Sequence, residues 1–210
     1  MTGNKKTEVL FPAEWDEQDA VMLTWPHNLT DWASILPEVE QTYLEIAREI
    51  IQREKLVITA PRVEQVKSLF TEQESAGIVF YEIPSNDTWA RDHGPILVYR
   101  NGKPFIHDFR FNGWGNKFDA TLDNQITAIL KDRHAFRERT GYRCHPDFIL
   151  EGGSIESNGR GTLLTTSECL LNPNRNSHLD KGGIERILMS ELGAHRILWL
   201  DHGYLEGDDT

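Results

Sequence analysis

A chain of 210 residues, 39% hydrophobic and 26% charged, has the composition of a folded globular protein and the length of one large or two small domains. Its 33 acidic against 22 basic residues leave a formal charge of -11, which argues against a phosphate-tracking surface, because nucleic-acid binding relies on clustered Lys and Arg. No apolar run is long enough to span a bilayer, and "MTGNKKTEVL" lacks the apolar stretch of a secretory signal, so a cytoplasmic protein with no membrane partner is expected.

Short apolar runs rich in β-branched residues alternate with segments of helical period. "AVMLTW" (Ala20 to Trp25) reads as a strand, and Pro37 then opens a helix that aligns Val39, Tyr43, Ile46, Ala47 and Ile50 on one face. "KLVITA" predicts a strand, "EQVKSLF" a helix and "GIVFYEI" another strand. "PILVYR" and "PFIHDF" flank Asn101-Gly102-Lys103 and predict a hairpin with Asn-Gly at its turn. Asp123 to Arg139 predicts an amphipathic helix, "DFIL" a buried strand, "GTLLTT" another, Lys181 to Leu192 a helix and "RILWL" the last strand. Strands and helices interspersed in this way place the chain in the α/β or α+β class. No linker or low-complexity run divides it, and the recurring strand and helix order suits stacked structural repeats.

Two segments concentrate chemistry. "NDTWARDHGP" (Asn86 to Pro95) crowds two aspartates, an arginine, a histidine and a tryptophan into a loop between predicted strands. Taken alone it is either a capped loop covering the core or a pocket wall in which Asp92 faces a planar cation beside Trp89. A guanidinium matches a carboxylate through paired charge-assisted bonds, and an aromatic wall adds cation attraction. In "FILEGGSIESNGRGTLL" a strand runs into Glu151-Gly152-Gly153, where glycine allows the backbone to turn sharply. A phosphate loop is the rival there, but the Walker lysine and the G-x-G-x-x-G spacing are missing and the acid would repel phosphate. Asn112 and Trp114 in "FRFNGWGNKF", and Arg175 in "CLLNPNRN", read as loop-ordering residues that also suit a pocket rim. His202, Glu206, Asp208 and Asp209 resemble a metal set only superficially, since the glycines at 203 and 207 disfavour the helix that would align them. Cys144 and Cys169 lack disulfide or zinc spacing and read as ordinary thiols.

Taken in order, "FPAEWDEQDAVMLTWP", "NDTWARDHGP", "FNGWGNKF", "LEGGSIESNGRGTLLTTSECLLNPNRN" and "WLDHGYLEGDDT" resemble the agmatine deiminase and Porphyromonas-type peptidylarginine deiminase family, over Phe11 to Thr210. The resemblance implies an α/β pentein fold, a pseudo-five-fold propeller of ββαβ blades, of which this length would hold about three in an incomplete ring. It implies no metal or organic cofactor, and a small cationic guanidino substrate, agmatine or an arginine side chain, as partner; a homo-oligomer is left open. The implied reaction hydrolyses a guanidinium to a ureido group and ammonia through a cysteine thiouronium intermediate. By motif position Asp92 and Glu151 match the family's guanidinium-binding acids, and Trp89, Trp114 and Asp87 are the accompanying substrate-binding candidates.

The family's catalytic histidine, a further aspartate and the nucleophilic cysteine fall beyond Thr210. The chain is therefore expected to be the N-terminal part of one catalytic domain, and inactive alone. Glu156 stands where many agmatine deiminases carry histidine, which leaves agmatine and peptidyl-arginine both open as substrates. An amidinotransferase, a guanidinium-binding protein without turnover and an interaction module are the competing readings.

Overall fold

The computed structural model describes residues 8–203. Its strands are β1 (Val9–Leu10), β2 (Ala20–Thr24), β3 (Lys55–Ala60), β4 (Ile78–Glu82), β5 (Ile96–Arg100), β6 (Lys103–Arg110), β7 (Gly141–Ile149), β8 (Ile155–Ser157), β9 (Thr162–Thr166) and β10 (Arg196–Leu200). Its helices are α1 (Leu36–Ile51), α2 (Val63–Lys67), α3 (Glu72–Ser75), α4 (Ala90–His93), α5 (Gly113–Asn116), α6 (Ile126–Asp132), α7 (Ser167–Leu170), α8 (Pro173–Asn176) and α9 (Lys181–Leu192). The mixture is α/β, as expected. None of the helices among the described residues is long and apolar enough to cross a membrane.

The chain forms two compact units. One comprises Glu17–Gly94 and Asp119–Ala135; the other takes the residues up to Asp16, Pro95–Phe118 and those from Phe136 onward. In the first, β2, β3 and β4 pair in parallel in that order, which requires the helical crossovers that α1, α2 and α3 supply. Pro37 sits in the first turn of α1, where its missing N–H costs nothing, and Leu44 and Ala47 face the sheet. Trp25 is the centre of this core: its ring meets Tyr43 and Phe70 edge-on at 5.6 and 5.8 Å, and its Nε1 donates to Glu40 Oε1 at 3.0 Å. A large aromatic ring is thereby buried with its one polar atom satisfied.

The second unit carries two sheets. β1, β5 and β6 run antiparallel to their neighbours and β7 adds parallel to β6; β8 pairs antiparallel with β9, and β10 returns parallel to β9 after α9. The Asn101-Gly102 turn of the β5–β6 hairpin takes φ of 51° and 74°, the left-handed pair that the dipeptide was expected to supply. Leu163, Ile184, Leu188 and Leu192 pack with Val98, Phe109 and Leu150 into one apolar cluster.

Several boundaries differ from the sequence reading. The helix expected from Asp123 to Arg139 is a 3-10 turn followed by α6 and stops at Asp132, because His134 turns left-handed (φ 56°) and the chain re-enters the other unit at Phe136. The strand expected at "DFIL" starts earlier, at Gly141. Its polar half was invisible as strand because those residues are partly solvent-facing, and Pro146 falls where the β6–β7 register slips between His145 and Ile149, a bulge that suits a residue without an N–H. "TWARDHGP", read as loop, contains one helical turn, α4.

Candidate functional site

The acids singled out in the sequence fall on both units, and each group is built by its own local network. In the first unit, the segment after β4 is stapled to the start of the 119–123 turn. Asp123 accepts the backbone N–H groups of Asn86 (2.7 Å) and Asp87 (3.2 Å), while the Asn86 side chain accepts from the amides of Leu122 and Asp123 and donates to Asp119. Asp87 is buried and accepts the Thr88 amide at 2.8 Å. Burial raises its pKa first and nearby Asp31 adds to this; burial likewise pushes Asp123 up to about 6. Trp32 donates to the Thr88 hydroxyl at 3.0 Å and its ring lies 5.9 Å from that of Trp89, which is 42% exposed. Trp89 therefore presents a face to solvent from a backed position.

The single turn of α4 then carries Asp92, partly buried, beside His93, which is buried. His93 Nε2 meets Thr24 Oγ1 at 3.3 Å, and Thr24 accepts from Thr59 at 3.2 Å, the two threonines being register partners at the C-terminal ends of parallel β2 and β3. The imidazole thus pins α4 to the ends of two strands. Desolvation lowers its pKa to about 4, so it is a neutral anchor at pH 7. Gly94 is required next: a Cβ there would lie 2.5 Å from the carbonyl oxygen of Ala90.

In the second unit, β7 delivers Glu151 to the start of a 3-10 turn, Gly152–Ser154. The sharp turn expected at Gly152-Gly153 is present as this 3-10 turn, and neither glycine needs a positive φ to make it. Glu151 is 2% exposed and accepts from Arg175 Nε on both oxygens, at 2.7 and 3.0 Å. Arg175 rides on α8, which Pro173 opens and Asn172 caps by accepting the Asn174 amide at 2.9 Å. Asn176 binds the Ile149 backbone in both directions, at 2.8 and 2.9 Å, locking α8 to the end of β7. Asn112 donates to the Asn174 carbonyl at 2.9 Å and accepts the Gly115 amide at 3.0 Å. The Trp114 backbone is left-handed (φ 55°), and its partly buried ring meets Phe111 and Phe118 edge-on. Gly115 (φ 82°) lies against Arg175, its Cβ position 3.3 Å from Nη1.

Within one unit, then, Asp87, Trp89 and Asp92 share a segment; within the other, Glu151, Trp114, Asn112 and Arg175 share a network. Reading Arg175 as a loop-ordering residue understated it, since it is the charged partner of Glu151. The Asn-Pro start of α8 was the available signal that Arg175 sits on a fixed turn. His93 and Asp123 were given no role, although His93 lies inside the motif. Cys144 is exposed and Cys169 partly buried, both as free thiols, and burial together with Asp108 raises the Cys144 pKa, away from a thiolate nucleophile. Of the C-terminal metal-like set, His202 is exposed 3.8 Å from Glu168, while Glu206, Asp208 and Asp209 lie outside the described residues.

The sequence model of the Porphyromonas-type peptidyl-arginine deiminases matches residues 10–210. A provisionally named agmatine deiminase of Pectobacterium atrosepticum is 35% identical over 206 residues, covering 95% of this chain and 54% of its own length. A provisionally named arginine deiminase from Porphyromonas gingivalis superposes with a TM-score of 0.90 at 46% identity, covering 96% of this chain and 60% of its own. A C. jejuni agmatine deiminase solved with substrate bound gives 0.87 at 38% identity, over 98% of this chain and 60% of that one. The chain thus spans somewhat over half the length of these relatives and shares their fold throughout that part. With a family match over 10–210 and structures of this similarity, the chain belongs to the Porphyromonas-type peptidyl-arginine deiminase family.

Proposed function

We propose that the protein to which this chain belongs hydrolyses a guanidinium group to a ureido group and ammonia. The observation that carries this is the likeness, at 38% identity and a TM-score of 0.87, to an agmatine deiminase with its substrate bound. Agmatine and an arginine side chain are the two substrates this reading admits. Resonance makes the guanidinium carbon a poor electrophile, so the cation must be held and a strong nucleophile supplied. Asp92 and Glu151 do the holding, as negative partners for the N–H groups, with Asp87, Trp89 and Trp114 as further substrate-binding residues. A cysteine thiolate attacks the carbon and ammonia leaves, protonated by a histidine that then activates water against the thiouronium. Both catalytic groups belong to sequence beyond Thr210, and the 210-residue chain is the N-terminal part of one catalytic domain, inactive by itself.

The test is ammonia and ureido-product formation from agmatine and from an arginine peptide, with the chain extended to the natural end of its gene and the 210-residue chain alongside. Turnover in the extended form alone is expected, and the faster substrate identifies the activity. Turnover by the short chain would refute the placement of the nucleophile. No turnover by the extended form would refute hydrolysis and leave amidino transfer or simple binding. In the extended form Asp92→Asn is expected to raise the agmatine KM about tenfold or more with folding nearly intact; an unchanged KM removes Asp92 from the site.

A further inference from the structure

Away from the acids discussed above, the second unit contains a buried polar cluster. Parallel pairing of β6 and β7 sets His107 opposite Arg143 and Phe109 opposite His145, so that alternate residues of both strands share the face covered by α9. Phe109 fixes the rings: His145 stacks on it at 4.4 Å, and His107 lies nearly parallel to it at 5.5 Å. The His107 side chain is fully buried, and those of His145 and Glu191 are 9% and 13% exposed.

The donor atoms converge. His107 Nδ1 faces His145 Nε2 at 2.7 Å, and Glu191 Oε2 lies 3.8 and 4.0 Å from these two nitrogens. A point equidistant from the three atoms lies ~2.1 Å from each, the length of a Zn–N or Zn–O bond. His107 Nε2, on the far side of its ring, is buried with no hydrogen-bond partner among the described residues, so the polar engagement of that ring is through Nδ1, where the donors meet. Two imidazole nitrogens face to face need a proton or a cation between them. We infer that His107, His145 and Glu191 form a binding site for a divalent transition-metal ion, for which two imidazoles and one carboxylate are a fitting donor set.

Arginines define the surroundings of this site. Arg100 Nη2 donates to Glu191 Oε2 at 2.5 Å with its guanidinium 4.4 Å over the Phe105 ring, and Arg143 Nη1 donates to Oε1 at 3.0 Å and Oε2 at 3.2 Å. They orient the carboxylate, as outer partners of a ligand do, yet their charge opposes the ion. A bound metal takes the Oε2 lone pair from Arg143, which retains Oε1. The arginines therefore set a moderate affinity, and removing the half-exposed Arg143 strengthens binding. The ion has no part in the reaction proposed above.

The chelator-treated 210-residue chain would be titrated with Zn2+ by calorimetry and with Co2+ by visible absorption, alongside His145→Gln and Arg143→Gln. One ion per chain is expected, with a Co2+ spectrum of imidazole and carboxylate coordination. His145→Gln should weaken binding about tenfold or more, and Arg143→Gln should tighten it several-fold. Absence of uptake at micromolar Zn2+ overturns the site and leaves a shared proton between the imidazoles. Uptake that Arg143→Gln leaves unchanged or weakens overturns it equally, and this variant alters only a surface side chain should His145→Gln fail to fold. Uptake that a folded His145→Gln retains in full places the metal elsewhere and has the same force.

Discussion

At the scale of single residues, the pairing of Glu151 with Arg175 decides how that acid behaves. Both side chains are more than nine-tenths buried, and both carboxylate oxygens accept from one Nε. A buried pair of this kind adds little over an apolar pair of the same shape, but removing one member strands the other's charge. Arg175→Ala is therefore expected to destabilise the chain by about 3–5 kcal/mol in urea unfolding, whereas the charge-neutral Glu151→Gln, which keeps an acceptor for Nε, should cost less. Equal losses would mean that Arg175 matters for packing and not for charge. Arg175→Lys should not restore the wild-type value, because an ammonium cannot reproduce the planar Nε approach. Asp92 and Glu151 stood out in the sequence as candidates because Asp92 sits beside Trp89, Gly94 and Pro95 and Glu151 precedes two glycines, each in a motif with family resemblance. The partnership with Arg175 was not, because 24 residues of sequence separate two atoms that touch only after β7 ends and α8 turns back.

At the scale of elements, local chemistry announced most of what formed. "KLVITA" became β3 without change, and Lys181 to Leu192 became α9 with both boundaries as read. Alternation and helical period arise from burial on one face, so wherever a segment is buried on one side the pattern is written in its residues. What stayed illegible lacks such a face. β1 and β8 are two and three residues long; the short turns α5, α7 and α8 are held by side-chain caps, and α4, which has no such cap, by the contact of His93 with the distant Thr24. The C-terminal end of α9 shows how demanding such long-range contacts become. Gly193 closes the helix at φ 69°, and a Cβ there would lie 2.1 Å from the carbonyl oxygen of Val9 in β1. Gly193→Ala is expected to cost about 2 kcal/mol or more, combining left-handed strain with a backbone clash. A lowered Tm in thermal unfolding checks the size, and faster amide exchange in β1 and at its partner residues Tyr99 and Arg100 checks the cause. An unchanged Tm would mean that β1 shifts to admit the methyl group without cost.

At the scale of the whole molecule, stability as a function of pH sums over every titrating group, so individual contributions are best read from differences between variants. In the first unit two buried groups act in opposite senses. His93 has its pKa lowered from 6.5 to about 4 by desolvation, so below pH 6.5 the unfolded chain takes up a proton that the folded chain refuses. Its contribution is present above pH 6.5 and is lost as pH falls toward 4. Asp123 has its pKa raised from 3.8 to about 6, again by desolvation, which outweighs the backbone N–H groups it accepts; neighbouring Asp87 and Asp119 add to the rise. Between these values the folded chain holds the proton, so the Asp123 contribution is present below pH 3.8 and is lost as pH rises through 6. Each is worth on the order of 2–3 kcal/mol across its window, and between pH 4 and 6 they offset one another. Asp123→Asn keeps an acceptor for the Asn86 and Asp87 amides and leaves the His93 effect uncompensated, so its stability relative to wild type should fall on going from pH 6 to pH 4. His93→Gln keeps a partner for Thr24 and leaves the Asp123 effect, so its relative stability should rise over the same interval. Urea unfolding of the three proteins at pH 4, 5, 6 and 7 resolves the two slopes. Curves that remain parallel to wild type would show that solvent reaches both groups in the folded chain, and the neutral-anchor role of His93 beneath Asp92 would fall with them.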